Sequence, residues 1–525
     1  MQRYDAVVIG GGHNGLAAAL HLLTQGWRVA IVEAKDRFGG AVKTGELTAP
    51  GFRHDVAAMN LSMFAGSPFL ARHREILTAN GLAFVAAPRC FATVFPDDTF
   101  LGVDADPDST VGGIERLCAR DAQAWTDMLH IFKRDAPFIF ALLNNRMPSI
   151  KTARIIFGAV RRHGLSWLDD LMRLLVASPR DFLDAHFEHH KVKTMMAAWG
   201  LHLDFSPEIA GGALFPYLES MASQAFGMVI GQGGADTIIM AMVGAIREKG
   251  GMLISGSPVV NIEIDNGRAT GVVLADGRML HASRAVVANV HPKILAERLL
   301  PRHPKFAGFV RRMSRLRAGP GTMMIHLAMH DLPDWKAGAH VREYAYVHVA
   351  PNLAMMSRVY AEAGDGMLPE LPVLVVGQPT TIDPSRAPAG KHVLWIQVRT
   401  LPAQIKGDAA GIISTRDWDQ AKEQYADRVL DILEQYAPGT RAKIIQRCVF
   451  SPVDLERENA NLIGGDSLSG SHHLDQSFFL RPAAGYSRYA TPAKGLYMCG
   501  ASTWPGAGTG AASGFMLAQH LAAVR

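Results

Sequence analysis

Cysteine is nearly missing from this chain of 525 residues: only Cys90, Cys118, Cys448 and Cys499 are present, and no two stand as C-x-x-C. That excludes a redox-active disulfide of the usual spacing and a common zinc arrangement, so no metal is expected. Long hydrophobic runs are missing too. No stretch of about 18 uncharged apolar residues occurs, so a membrane-spanning helix is not expected. Charge is sparse: Asp, Glu, Lys and Arg make up 19% of the residues, with a net charge of +5. A diffuse excess of this size is not a basic stripe, and nucleic acid is not expected as a partner. No repeat and no low-complexity tract is visible. The first residues run straight into an apolar strand with no charged leader, so a cytoplasmic location is expected.

What is present in quantity is glycine, at 51 residues, and it is placed with purpose. After the β-branched run Tyr4–Ile9 come Gly10, Gly12 and Gly15 in the spacing G-x-G-x-x-G, followed by an Ala- and Leu-rich helical stretch from Asn14 to Gln25. In that order the first glycine allows a tight turn, the second lets backbone approach a pyrophosphate, and the third lets helix and strand pack closely. The helix N-terminus then offers free N–H groups to phosphate. A second strand, Arg28 to Val32, ends in Glu33, about twenty residues on, where a carboxylate can accept a hydrogen bond from ribose. The stretch predicts a bound dinucleotide.

The length exceeds one ordinary core, so two or three domains are expected. Residues from about 109 to 210 carry a helical pattern. The passage 231–251 reads as turn, helix, turn. A strand-rich run with a D265-N-G turn then leads back, through A285-V-V-A-N-V, toward the nucleotide sheet. Strands are expected near 321–329 and 392–398, a helix near 418–436, and a closing strand, glycine-rich loop and helix from 495 to 523. The dinucleotide domain is therefore expected from three separated pieces, 1–70, 225–295 and 445–525, with a substrate domain from 71–224 and 296–444.

The trio V7-V-I-G-G-G-H-N-G15, R37-F-G-G-A-V-K-T44 and G495-L-Y-M-C-G-A-S-T-W-P-G-A-G-T-G-A-A-S-G514 resembles the FAD-dependent phytoene desaturase family. It is most similar to the branch named for a pyridine nucleotide-disulphide oxidoreductase domain, although no C-x-x-C is present. The resemblance implies an α/β fold: a Rossmann-like FAD-binding domain of the amine-oxidase type with an inserted substrate domain of sheet plus helices. It implies FAD, with Gly10, Gly12, His13, Asn14 and Gly15 at the pyrophosphate and Glu33, Ala34 and Lys35 at the adenosine ribose. Gly39, Gly40 and Val42 would pass beside the cofactor, and Val259 would meet the adenine. Gly500 and Ala501 would approach the phosphate and ribityl chain. Gly508, Thr509, Gly510, Ala511 and Ala512 would lie at the pyrimidine edge of the flavin, where a helix N-terminus stabilises negative charge. Two positions depart from the family pattern. Trp504 stands where His often precedes the loop proline. Met324 and His326 stand where Lys and Asn are frequent, which weakens an amine-oxidase reading.

Flavin chemistry asks the protein mainly for orientation and electrostatics. Three residues are catalytic candidates, each with a bland alternative. His326 is either a general base or a satisfied core histidine. Trp504 either stacks by the flavin or fills its loop. His54, with Asp55, either faces the cofactor or serves local structure. The basic segment 145–163, with Arg146, Lys151, Arg154, Arg161 and Arg162, is either a solvated face or a contact with an anionic membrane surface. The expected activity is hydride transfer between a lipophilic or polyene-like substrate and flavin, by desaturation, saturation or isomerisation. The electron acceptor is open, oxygen or a quinone among others, and no second G-x-G-x-x-G supports a nicotinamide site. An FAD oxidase of an amine or alcohol, and a flavin-holding interaction protein, are the alternatives.

Overall fold

A computed structural model describes residues 3–523. The apolar run at the start forms the strand Arg3–Ile9, in the middle of a seven-stranded sheet. Val29–Val32 and Met279–Ala288 flank it, both parallel. Met252–Ile254 and Leu496–Met498 extend the parallel part outward. A parallel sheet is covered on both faces, so its strands read as unbroken apolar runs, as Ala6–Ile9, Val29–Val32 and Ala285–Ala288 do. On one face, helices His13–Thr24, Thr237–Glu248 and Ala512–Ala523 bury Leu16, Leu20, Ile238, Met242 and Leu517. Strand Met279–Ala288 plays two parts. Its first residues pair antiparallel with Arg268–Leu274, and the rest run parallel to the first strand.

The second sheet also has seven strands, in the order Ile444–Phe450, Gly321–Met329, His392–Leu401, Leu374–Gly377, Tyr346–Val349, Arg89–Val94 and Phe100–Asp104. Neighbours are antiparallel except for Tyr346–Val349 beside Arg89–Val94. Side chains alternate across a strand. Ile325, Leu327, Leu394 and Ile396 point to one face, where helix Trp418–Tyr436 covers them with Tyr425, Val429 and Leu433. The opposite face of His392–Leu401 carries Trp395, Gln397 and Arg399. A helical layer from Pro107 to Phe226, wider than the 109–210 pattern, packs around Trp125, Phe132, Met195 and Met221.

Three domain borders differ from the sequence reading. Ile444–Phe450 is an edge strand of the second sheet, paired with Gly321–Met329, so the third dinucleotide piece begins after 450 rather than at 445. Residues placed in the substrate domain from 296 onward begin too early: Leu299, Phe306, Phe309 and Met313 pack on Val7, Val286 and Met498 of the parallel sheet. Likewise Leu77 and Leu82 join the dinucleotide core rather than the substrate domain that was expected from 71. In each case apolar packing, which carries no motif, decides where the residue belongs.

The two sheets are tied by a buried charge cluster. The Arg386 side chain is 0% exposed and that of Asp55 1%, with Nη1 donating to Oδ2 at 2.5 Å. Arg386 Nη2 donates to the Gly231 carbonyl at 2.7 Å, and Nε donates to Asp383 at 3.3 Å. The other Asp55 oxygen accepts from Thr44 Oγ1 and the Ala235 N–H, each at 2.7 Å. Trp395 Nε1 donates to the Asp55 carbonyl at 2.9 Å. Burial pulls the guanidinium down, and the two carboxylates outweigh it, leaving Arg386 above its usual range. Removing one member strands a buried charge. Asp55→Ala is therefore expected to cost about 3–5 kcal/mol, seen as a lower denaturation midpoint. Asp55→Leu combined with Arg386→Met is expected to recover only part of that loss, since Asp383 then loses its cation and the Ala235 N–H its acceptor.

Candidate functional site

A cavity of about 430 Å³ lies between the two sheets. Its first end is built from the glycine-rich turn. Gly10 has φ +92°, and a Cβ there would stand 2.6 Å from the Asn289 carbonyl oxygen. A Cβ at Gly15 would stand 2.3 Å from the Gly10 carbonyl oxygen. These two must be glycine for the fold itself. Gly12 is different. Its φ of −72° suits any residue. A Cβ there would meet only Asn289 Nδ2 at 3.3 Å and Gly40 Cα at 3.9 Å. The space kept open at Gly12 serves something other than the chain. Helix His13–Thr24 starts there with no side-chain cap and no acid in its first turn, so its leading N–H groups are free for an anion.

Glu33 accepts from the Gly11 N–H at 2.8 Å through Oε2 and from the Lys35 N–H at 2.9 Å through Oε1. A carboxylate has about four lone-pair directions, so two stay available for ribose hydroxyls. Ala34, Lys35, Gly40, Val42 and Val259 line the same end of the cavity. Gly39 stands just behind, its N–H donating to the Gly11 carbonyl at 2.9 Å. Gly500, Ala501, Gly508 and Thr509 line the cavity from the C-terminal loop. Gly510, Ala511 and Ala512 do not. Ala511 is buried, while Gly510 and Ala512 border a second cavity of about 320 Å³. Helix Ala512–Ala523 crosses the first helix at contact distance. A Cβ on Gly514 would fall 1.8 Å from the Asn14 carbonyl oxygen, and the Gly514 N–H donates to Asn14 Oδ1 at 3.2 Å. His13 Nε2 lies 3.0 Å from the Gly508 carbonyl oxygen and joins the two motifs. An uncapped helix N-terminus, a carboxylate with spare acceptors and an open glycine fit FAD.

None of the three catalytic candidates lines the cavity. His326 is fully buried, with its ring 5.4 Å from His54 and 5.8 Å from Phe450. Burial, then the neighbouring His54, hold its imidazole well below the usual range, and neither nitrogen has a partner. His54 pairs with Thr48 Oγ1 at 2.8 Å, and burial and Arg386 hold it at about 3. Trp504 donates from Nε1 to the Asn145 carbonyl at 2.8 Å and packs on Phe478, filling its loop. Register explains the error at His326. It stands opposite Trp395, on the same face but one strand farther from the cavity.

The cavity is reached instead by Trp395, Gln397 and Arg399, joined by Tyr346, Trp199 and Glu219. The signal for the first three was present in W395-I-Q-V-R399, an alternation of polar or aromatic with apolar residues. Asn289 was also missed. It donates to the Gly10 carbonyl at 3.1 Å from a strand end far along the chain. Burial lifts the Glu219 carboxyl to about 7.

The sequence model of flavin containing amine oxidoreductases matches residues 15–514. The chain belongs to this family. It is an FAD-dependent oxidoreductase. It is 28% identical to the mouse (Mus musculus) pyridine nucleotide-disulfide oxidoreductase domain-containing protein 2, over 97% of this chain and 92% of that protein. It is 26% identical to the neurosporene-forming phytoene desaturase of Rhodobacter capsulatus, over 98% and 93% of the two chains. Among solved structures it is similar to an oxidoreductase from Methanosarcina mazei, with a TM-score of 0.61 at 18% identity, covering 98% of this chain and 99% of that one.

If Gly12 keeps room for the cofactor, Gly12→Val should weaken FAD retention by about tenfold or more, the cost of overpacking a fitted site. The purified variant is expected to be pale, while circular dichroism and the melting temperature of the FAD-free protein change little.

Proposed function

We infer that FAD lies along the cavity, from Gly12 and Glu33 to the loop Gly500–Thr509, and that a lipophilic substrate occupies the end beneath the second sheet. One observation carries this reading: a single cavity joins the dinucleotide cradle to a wall of Trp199, Phe215, Tyr346 and Trp395. Large aromatic side chains bind extended apolar molecules through contact area. The relatives named for phytoene support the same substrate class. When bound, the flavin accepts the hydride, which is the hard step. The protein's part is to hold the substrate, keep water away and take up a proton. Glu219 suits the last task. It stands on helix Leu214–Phe226, lines the cavity and has no hydrogen-bond or ion-pair partner among the described residues.

Entry from a lipid surface belongs to this reading. Helices Ile150–His163 and Leu165–Val176 form a hairpin with Ile150, Phe157 and Leu165 at least 70% exposed. Lys151, Arg154, Arg161 and Arg162 share the first helix, which has no acid. Lys151 and Ile155 border the second cavity together with Gly510 and Ala512 of the flavin loop. No helix of the described residues is long and apolar enough to cross a membrane. The contact is therefore with the surface.

Anaerobic addition of a polyene is expected to bleach the flavin. Bleaching only by amines or alcohols would overturn the substrate class. With its carboxyl at about 7, Glu219 is neutral below that pH and ionised above it. A step in which it accepts a proton therefore gains rate as pH rises through about 7 and then levels. Glu219→Gln should lower the bleaching rate about a hundredfold and remove that rise. Binding to vesicles containing anionic phospholipid should weaken with salt. It should fall about tenfold or more in Ile150→Asp/Phe157→Asp, which removes two exposed apolar side chains that would enter the lipid surface.

A further inference from the structure

We propose that Arg399 and Gln397 form a subsite for a single carboxylate, so that the substrate is an apolar molecule ending in an acid group. This rests on the substrate reading above and adds to it which end of the molecule is held, and by what.

Arg399 lines the cavity on the same strand face as Trp395 and Gln397. It is held from behind. Nε donates to Gln397 Oε1 at 2.8 Å, and Nη1 donates to the His202 carbonyl at 2.9 Å and to Ser467 Oγ at 3.2 Å. Nη2 makes no hydrogen bond, and Arg399 has no ion-pair partner among the described residues. Burial lowers Arg399, while Tyr346 and then Asp466 are close enough to favour its charge. Asp466 is held by the N–H groups of Gly319, Leu468 and Gly470 at 2.8, 2.8 and 2.6 Å and makes no ion pair with Arg399. Arg386 has carboxylates on it, and the equally buried Arg481, which makes no ion pair, spends its donors on the carbonyls of Gly470, Ser471, Gln476 and Ala501; Arg399 has an Nη2 with neither.

Close by, the buried atoms Trp199 Nε1 and His202 Nε2 have no hydrogen-bond partner, the histidine nitrogen being donor or acceptor by tautomer. The Gln397 amide nitrogen makes no hydrogen bond, while its oxygen accepts from Arg399. The side chains brought together here thus have donors to spare and one uncompensated positive charge. An acceptor-rich anion completes such a set, because a buried charge or polar group without a partner is costly. The planar guanidinium is suited to a carboxylate. One cation matches one negative charge. A phosphate monoester carries nearly two, and the wall offers no second cation. Glu219, an acid on this part of the cavity, makes no ion pair with Arg399, so a ligand carboxylate would be the first to pair with it.

The experiment titrates the FAD-loaded protein, without oxygen, with three matched sets of probes. These are a conjugated polyene acid and its methyl ester, decanoate and methyl decanoate, and benzoate and methyl benzoate. Binding is read from the shift in flavin absorbance and from the rise in melting temperature. Wild type is expected to bind an acid at least about tenfold more tightly than its ester, as for a hydrogen bond to a charged group. Arg399→Met should erase that preference, and Arg399→Lys should keep part of it, so the comparison survives if the Met variant folds poorly. Preference for acids of every length, lost in Arg399→Met, supports the subsite. Preference confined to benzoate and lost in the same variant also supports it, while overturning the lipophilic reading. Equal affinity for acid and ester throughout, or a preference unchanged in both variants, overturns the subsite.

Discussion

Arg386 against Asp55 is the contact on which the site depends. It lies where four parts of the chain meet: the stretch around Thr44 and Asp55, the turn Gly231–Ala235, the segment Asp383–Arg386, and strand His392–Leu401 through Trp395. Two of these belong with the dinucleotide core and two with the second sheet. A charge pair of this kind adds little net stability over a well-packed apolar alternative. What it supplies is direction. Its hydrogen bonds fix the Trp395 indole from behind, and the residues two and four positions on, Gln397 and Arg399, then face the cavity by the alternation of the strand. The cavity wall is thus set by a contact outside the cavity.

At the other end, backbone contact does the equivalent work. Gly10, Gly15 and Gly514 stand where any side chain would collide with backbone. Their absence of side chains lets the first and last helices cross closely, with Asn14 bridging them, and brings the N-terminal turn and the C-terminal loop onto one cavity although 500 residues separate Asn14 and Gly514. Gly12 differs in degree: its backbone suits any residue, and a Cβ would press on the Asn289 side chain at 3.3 Å rather than collide with backbone. Within one motif, two glycines are required by the fold itself and the third is not.

That division explains what was legible in the sequence. The strand–turn–helix at residues 4–25, the return of the chain through 285–288 and the closing strand and helix could all be read, because local period and turn chemistry specify them. Helix 418–436 and strands 321–329 and 392–398 were readable for the same reason, the last of them running on to Leu401. Domain borders were not. Phe309 on Val286, or Leu77 in the dinucleotide core, is long-range packing with no local sign. The cofactor cradle was legible as a motif. The substrate wall was not, because it depends on which of two neighbouring strands lies nearer the cavity. His326 and Trp395 share a face and a register position, and one strand's width separates a core histidine from a cavity wall. The Arg386–Asp55 pair was invisible, since nothing in either residue's surroundings names the other.

The charges of the wall bear on how a mostly apolar molecule could be selected. Burial lowers Arg399 to about 10 and raises Glu219 to about 7, so both are pushed toward neutrality and neither is relieved by the other. At neutral pH Arg399 still carries its proton, and without a ligand it has no ion pair and depends on water and on the more distant Asp466. An apolar molecule without a polar end would displace that water and give nothing back, leaving the guanidinium poorly solvated against Trp199 and Tyr346. A molecule with a matching end replaces the lost hydration and gains apolar burial along the aromatic wall. Discrimination of this kind comes more from the penalty imposed on the unmatched molecule than from the attraction of the matched one. The same penalty fixes orientation: the polar end is held at the second sheet, and the apolar length is left to extend along the cavity toward the C-terminal loop.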